Sequence, residues 1–211
     1  MQQEAPLSLM TEIPEPTKSE STKTIGAIVL AAGFSNRFGS SKLLAKLDNG
    51  KTVFQQTLEH VKDAIPDVLI VSRIELTAEN SFSDDKILLF DNAEQGMGST
   101  LSFAAAHMPK WDACLVCLAD MPFIKSDTYR SIAAQVNEDR IVIPSFQSKA
   151  GNPVAFGKNY FEQLKQLQGD SGGKAIIRDH QSAVVDLAVE DAGILQDVDT
   201  PIDLSRYQSS E

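Results

Sequence analysis

Hydrophobic positions along the chain fall into two patterns. Continuous, β-branched runs occur at 24–31 (TIGAIVLA), 67–72 (DVLIVS), 86–90 (KILLF), 113–119 (ACLVCLA), 140–144 (RIVIP) and 183–188 (AVVDLA). Runs with no polar face predict strands covered on both sides. Between them the spacing turns helical. Val53, Phe54, Thr57, Leu58, Val61 and Ile65 follow Thr52, a good N-cap, and Ser99–Met108 is Ala-rich and stopped by Pro109. Ser126 is placed to cap a helix carrying Tyr129, Ile132, Ala133 and Val136 on one face. A short strand is predicted at Pro153–Phe156, helices near 158–167 and 172–180, and a final short strand around Asp197–Asp199. Buried strands alternating with amphipathic helices predict an α/β fold. The expected form is a single doubly wound, mostly parallel, Rossmann-like sheet with helices on both faces and ligands beyond the carboxyl ends of its strands.

The first 23 residues break the alternation. They are rich in Glu, Pro, Ser and Thr without a sustained period, so a flexible tail is expected at 1–23 and the folded domain at 24–208. The 211 residues suffice for one good-sized core. No apolar run approaches the roughly 20 residues that cross a bilayer, and the N-terminus lacks the basic-then-apolar order of a signal peptide. A soluble, cytoplasmic protein is expected. The net charge of −10 argues against nucleic acid and anionic membrane as partners, so an anionic ligand must meet a local basic pocket. Cys114 and Cys117 form a lone CxxC inside a predicted strand, where residues three apart face opposite ways, so both read as buried hydrophobes. His60, His107 and His180 are scattered and form no catalytic or zinc-binding arrangement.

LAAGFSNRFGSSKLL (30–44) follows the first strand. Small residues at Ala31, Ala32, Gly33 and Gly39 let backbone N–H groups approach a bulky anion, and Arg37 and Lys42 add charge. The spacing fits neither a P-loop nor a dinucleotide GxGxxG. This segment resembles the signature loop of single-domain nucleotidyltransferases, most closely the molybdenum cofactor cytidylyltransferase group of the MobA-like NTP transferase family. GMGSTL (96–101), LADMPF (118–123), GNPVAF (151–156), GDSGGKAII (169–177) and DVDTPIDL (197–204) match the same family in the same order.

The resemblance implies transfer of a nucleoside monophosphate, CMP foremost, from a triphosphate to the phosphate of a molybdopterin-type acceptor with Mg²⁺ as cofactor. Such a reaction depends on alignment and charge neutralisation and needs no nucleophilic side chain. The resemblance assigns Leu30, Ala31, Ala32, Gly33, Gly96 and Ser99 to nucleotide binding, with Arg37 and Lys42 on the triphosphate and catalytic. Asp120, at the end of the fourth strand, becomes the metal aspartate. Strand alternation would put Asp197 and Asp199 on one face, and the resemblance favours Asp199 as second ligand. Gly151, Asn152, Pro153, Asp170 and Lys174 fall to the acceptor, with Lys174 standing where the family usually has Arg. The LAAG form resembles cytidylyl-transferring members; guanylyl-transferring relatives typically show LAGG, which singles out Ala32. Docking to a molybdenum enzyme is a further implied interaction. Alternatives are a guanylyl or sugar-phosphate nucleotidyltransferase, or a non-catalytic carrier of a nucleotide-bearing pterin.

Overall fold

The computed structural model describes residues 23–33, 38, 41–73 and 86–208. Through these run strands β1 (Ile25–Ala31), β2 (Asp67–Ser72), β3 (Lys86–Leu89), β4 (Ala113–Leu118), β5 (Ile141–Phe146), β6 (Lys149–Ala150), β7 (Val154–Gly157) and β8 (Val184–Ala188). They join one sheet in the order β3-β2-β1-β4-β7-β5-β6, with β8 on β5. β1 to β4 pair in parallel, as do β5 and β8, whereas β7 is antiparallel to both β4 and β5. The sheet is therefore mostly parallel, as the unbroken apolar runs require: β1 has strands on both edges and helices on both faces.

The helices are α1 (Val53–Ala64), α2 (Met97–Ala106), α3 (Ser126–Gln135), α4 (Phe161–Leu164), α5 (Lys174–Asp179) and α6 (Pro201–Gln208). α1 starts at a capping box, in which the Gln55 N–H donates to Thr52 Oγ1 at 3.0 Å and the Thr52 N–H donates to Gln55 Oε1 at 2.9 Å. Strand alternation sorts the core into two layers. Ala27, Val29 and Cys117 pack with Phe54 and Val61 of α1 and Tyr129 and Ile132 of α3. Ile28 and Cys114 pack with Leu101 and Ala104 of α2 and with Phe156. The two cysteines are thus buried on opposite faces, and burial pushes the Cys114 thiol up to about 12 and the Cys117 thiol higher still.

Several local expectations are corrected. The apolar run KILLF predicts a strand covered on both sides, yet β3 is an edge strand paired only with β2 among the described residues, and Leu89 is exposed. α2 begins at Met97 behind Gly96, not at Ser99. Ser126 is the first residue of α3 instead of its cap; the Asp191 carboxylate accepts from the Lys125 N–H at 3.0 Å and ties down that end. Residues 158–167 give a 3-10 turn and the single turn of α4 in place of one helix. The strand expected around Asp197–Asp199 is irregular chain, held by the Val198 N–H donating to the Asp120 carbonyl at 2.9 Å. α6 follows it. Its signal was present in Thr200-Pro-Ile-Asp203: the Thr200 N–H donates to Asp203 Oδ2 at 2.8 Å, the Asp203 N–H donates to Thr200 Oγ1 at 3.2 Å, and Pro201 opens the helix. Among the described residues no helix is long and apolar enough to cross a membrane.

Candidate active site

β1 and β4 lie side by side, and the chain leaves them in opposite directions across the sheet: β2 and β3 beyond β1, β7 and β5 beyond β4. A crevice opens outside the carboxyl ends at such a reversal. Here it is a cavity of about 480 Å³ lined by the ends of both strands and by Lys42, Asp120, Asp197 and Asp199.

Each of these side chains is placed by a separate local device. The Ala119 N–H donates to the Leu30 carbonyl at 3.2 Å, extending the β1–β4 pairing by one step and putting Asp120 at the strand's end. The Val198 bond to the Asp120 carbonyl brings Asp197 and Asp199 alongside. Lys42 opens a 3-10 turn (Lys42–Leu44) that is anchored by buried Leu43. The Lys42 ammonium donates to Asp120 Oδ2 at 2.6 Å and to Asp199 Oδ1 at 2.7 Å. Burial lowers the pKa of Lys42, but the charges and hydrogen bonds of the two carboxylates outweigh it and hold the group above the ordinary lysine range. Asp197 is raised, first by burial and then by the negative charges of Asp120 and Asp199. Asp120 Oδ1 is buried and has no hydrogen-bond partner among the described residues.

The other end of the cavity is built from small residues and the start of α2. Ala31 and Ala32 are buried, whereas Gly33 is exposed and a side chain there would meet no atom of the described residues within 4 Å. Gly96 has φ +97°, and a Cβ on it would come within 2.2 Å of Asp170 Oδ1. The Gly98 N–H, one of the open donors of α2, donates to the Gly169 carbonyl at 2.7 Å. The 168–170 loop therefore seals this end of the helix, and Asp170 lines the cavity.

A second cavity of about 380 Å³ adjoins the first, with Met97 and Leu118 lining both. Its walls are mostly carbon, from Leu101, Val116, Ile143, Phe156 and Ile177, with Asn152, Ser171 and Lys174 among its polar groups.

Of the residues singled out by sequence, Leu30, Ala31, Ala32, Gly33, Lys42, Gly96, Asp120 and Asp199 line the first cavity. Gly151, Asn152 and Lys174 line the second. Asp170 was expected with the acceptor group but lies in the first cavity. Ser99 lines neither; its hydroxyl donates to the Gln95 carbonyl at 3.0 Å, and Thr100 occupies the wall instead. Pro153 is buried behind a cis peptide bond with Asn152 and lines neither cavity. The helix opened by Lys174 has only six residues, too short for its N-terminus to hold an anion unaided. Arg37 lies outside the described residues. Sequence reasoning passed over Met97 and Leu118, the shared wall. Met97 sits inside the GMGSTL motif, so its neighbourhood was marked but its exposure was not.

The donor set at the first cavity is suited to a hard divalent cation: two convergent carboxylates, one with an unpaired buried oxygen. Among the described residues no group of three or more His, Cys, Asp or Glu is arranged to hold a metal, so ligand oxygens would have to complete a shell.

Comparison with known proteins agrees with this architecture. The chain is 27% identical over 194 residues to the purine catabolism protein PucB of Bacillus subtilis (strain 168), covering 82% of this chain and 91% of that protein. It is 25% identical over 184 residues to the molybdenum cofactor cytidylyltransferase of Escherichia coli (strain K12), covering 85% and 93%. It is 31% identical over 131 residues to a probable molybdenum cofactor guanylyltransferase of Geobacillus sp. (strain WCH70), covering 58% and 64%. The crystal structure of Rv0371c from Mycobacterium tuberculosis H37Rv in complex with manganese superposes with a TM-score of 0.75 at 25% identity, over 90% of this chain and all of that one. Residues 27–184 match the MobA-like NTP transferase domain, and the chain belongs to that family of nucleotidyltransferases.

Proposed function

We propose that the protein transfers CMP from CTP to the phosphate of a molybdopterin-type cofactor in the cytoplasm, releasing pyrophosphate, with Mg²⁺ as the metal ion. The observation that carries this reading is the pair of cavities meeting at Met97 and Leu118, the first with Lys42, Asp120 and Asp199 at one end and small residues at the other. A transferase needs its two substrates side by side with their reacting phosphates at the junction.

Small residues at Ala31, Ala32 and Gly33 leave room for the base and ribose, and Lys42 would turn to the α-phosphate as an oxygen of the acceptor phosphate attacks phosphorus and pyrophosphate leaves. Its ammonium then offsets the charge that builds on the phosphoryl oxygens. Asp120 and Asp199 would hold the Mg²⁺, with phosphate oxygens completing its shell. When bound, the ion neutralises phosphate charge and keeps the α-phosphate aligned for in-line displacement. The carbon-rich second cavity suits a flat heterocycle better than a sugar, whose hydroxyls would lose water without gaining partners. Lys174 at its rim serves the acceptor's phosphate as a point charge.

Guanylyl transfer is the second reading, favoured by the 31% identity to a probable guanylyltransferase. Pyrophosphate release measured across CTP, GTP, ATP and UTP, with and without molybdopterin cofactor, separates the two. CTP is expected to be preferred. Ala32→Gly should narrow the preference by about ten- to a hundredfold in kcat/KM, the range that a methylene-sized change in a pocket supports. A wild type that prefers GTP would establish the second reading, and tight pterin binding without turnover of any triphosphate would make the protein a carrier.

A further inference from the structure

The acidic end of the first cavity already contains a cation. Asp120 comes from the end of β4 and Asp199 from the irregular segment before α6, and the Lys42 ammonium sits between them at 2.6 and 2.7 Å. Lys42 and Asp120 are largely buried, with side chains only 14% and 17% exposed, so water screens this contact weakly. A divalent cation bound by the same two oxygens and an ammonium held by both exclude one another. Each requires the oxygens to point at one place, and the two positive charges repel.

We infer that Lys42 is a resident counter-cation that holds the metal position in the nucleotide-free protein and gives it up when a triphosphate offers its ammonium a new partner. The inference rests on the reading of Asp120 and Asp199 as metal ligands and is independent of the base or acceptor. With no nucleotide present, a metal ion must break two ion pairs, one of them largely shielded from water, and push the ammonium out into the open cavity. The ammonium finds no phosphate there, so metal binding alone is weak. A triphosphate reverses this balance: Lys42 moves to the phosphates, and both carboxylate oxygens that held it become available to the metal. Metal and nucleotide then strengthen one another's binding by the same factor, as linkage requires. The arrangement also offsets part of the charge of two part-buried carboxylates between turnovers, which an open metal site would not do at low metal concentration.

The test is binding of Mn²⁺ alone to the full chain, without nucleotide, followed by electron paramagnetic resonance or calorimetry. Lys42→Met removes the charge while keeping the stem. It should bind Mn²⁺ at least tenfold more tightly than the wild type, and Lys42→Gln should do the same if the Met variant folds poorly. Lys42→Arg retains a cation on the carboxylates and should stay at or below the wild-type affinity. Adding Asp120→Asn to Lys42→Met should abolish the gain. Uncharged variants that bind Mn²⁺ no better than wild type would overturn the inference, as would a gain that survives Asp120→Asn, since the ion would then sit elsewhere. These measurements involve no turnover, so a failure of the CMP-transfer reading in the triphosphate panel leaves them unaffected.

Discussion

Asp120 stands where a strand stops, with one oxygen on the Lys42 ammonium and the other buried without a partner among the described residues. That imbalance separates its functional role from a structural one. Asp120→Asn keeps the volume of the side chain and leaves Lys42 paired with Asp199, so the fold should survive with a Tm within a few degrees of wild type. Turnover should fall by orders of magnitude because the neutral amide no longer offers a metal ligand or balances Lys42. A variant that keeps wild-type rates of pyrophosphate release would remove Asp120 from the site. Asp120 was legible in the sequence because it follows the apolar run of β4, and Lys42 because it belongs to the small-residue loop that follows β1. Asp170 and Ser99 were not. The position of Asp170 is decided by the close fit of the Gly169 backbone and the Asp170 side chain against Gly96, and that of Ser99 by a helix that already begins at Met97.

Between elements, the junction of α2 with the 168–170 loop couples the two cavities. Asp170 faces the first, Ser171 to Lys174 face the second, and Gly96 and Gly98 are the points at which α2 admits the loop. Gly96→Ala should disturb both cavities together, since its Cβ would meet the Asp170 carboxylate and the Gly169 backbone in a conformation L-residues rarely adopt. A loss of about 1–3 kcal/mol in denaturant unfolding is expected, together with a raised KM for both the triphosphate and the acceptor. Effects confined to one substrate would mean that the loop moves independently of the helix. The buried parallel strands could be read from sequence because a strand covered on both faces leaves an unbroken apolar run. β3, at the edge, carries a similar run, and its exposure depends on where the sheet ends, which no local pattern records. The segment 196–199 alternates like a strand but has only one tie to Asp120, while the true signal at that point, the Thr200–Asp203 cap, belonged to α6.

At the scale of the whole molecule, the titrating groups predict an asymmetric dependence of stability on pH. Asp67 is held below the usual carboxylate range chiefly by its hydrogen bond with Lys86, Asp112 by hydrogen bonds from Thr24, and Asp203 by those from Thr200. Their contribution is present above the ordinary value of 3.8 and is lost as pH falls through the lowered values. All three are only half-buried and reached by solvent, which screens them, so the acid limb should be shallow. The alkaline limb is different. Cys114 and Cys117 lie fully buried in the two core layers, and burial raises their thiols from the ordinary 9.0, Cys114 to about 12 and Cys117 beyond it. Above pH 9 the unfolded chain releases these protons while the folded chain keeps them, so folding stability falls as pH rises. For Cys114 alone the full shift corresponds to on the order of 4 kcal/mol. The double variant Cys114→Ala, Cys117→Ala should lose on the order of 1 kcal/mol per site at pH 7 from the cavities it opens, and yet show a distinctly flatter decline between pH 9 and pH 11. Denaturant unfolding of both proteins across that interval measures the two slopes. Equal slopes would show that the buried thiols do not govern the alkaline limb and leave it to other groups raised on folding, among them Tyr129, buried and well above the ordinary tyrosine value of 10.0, and Lys42.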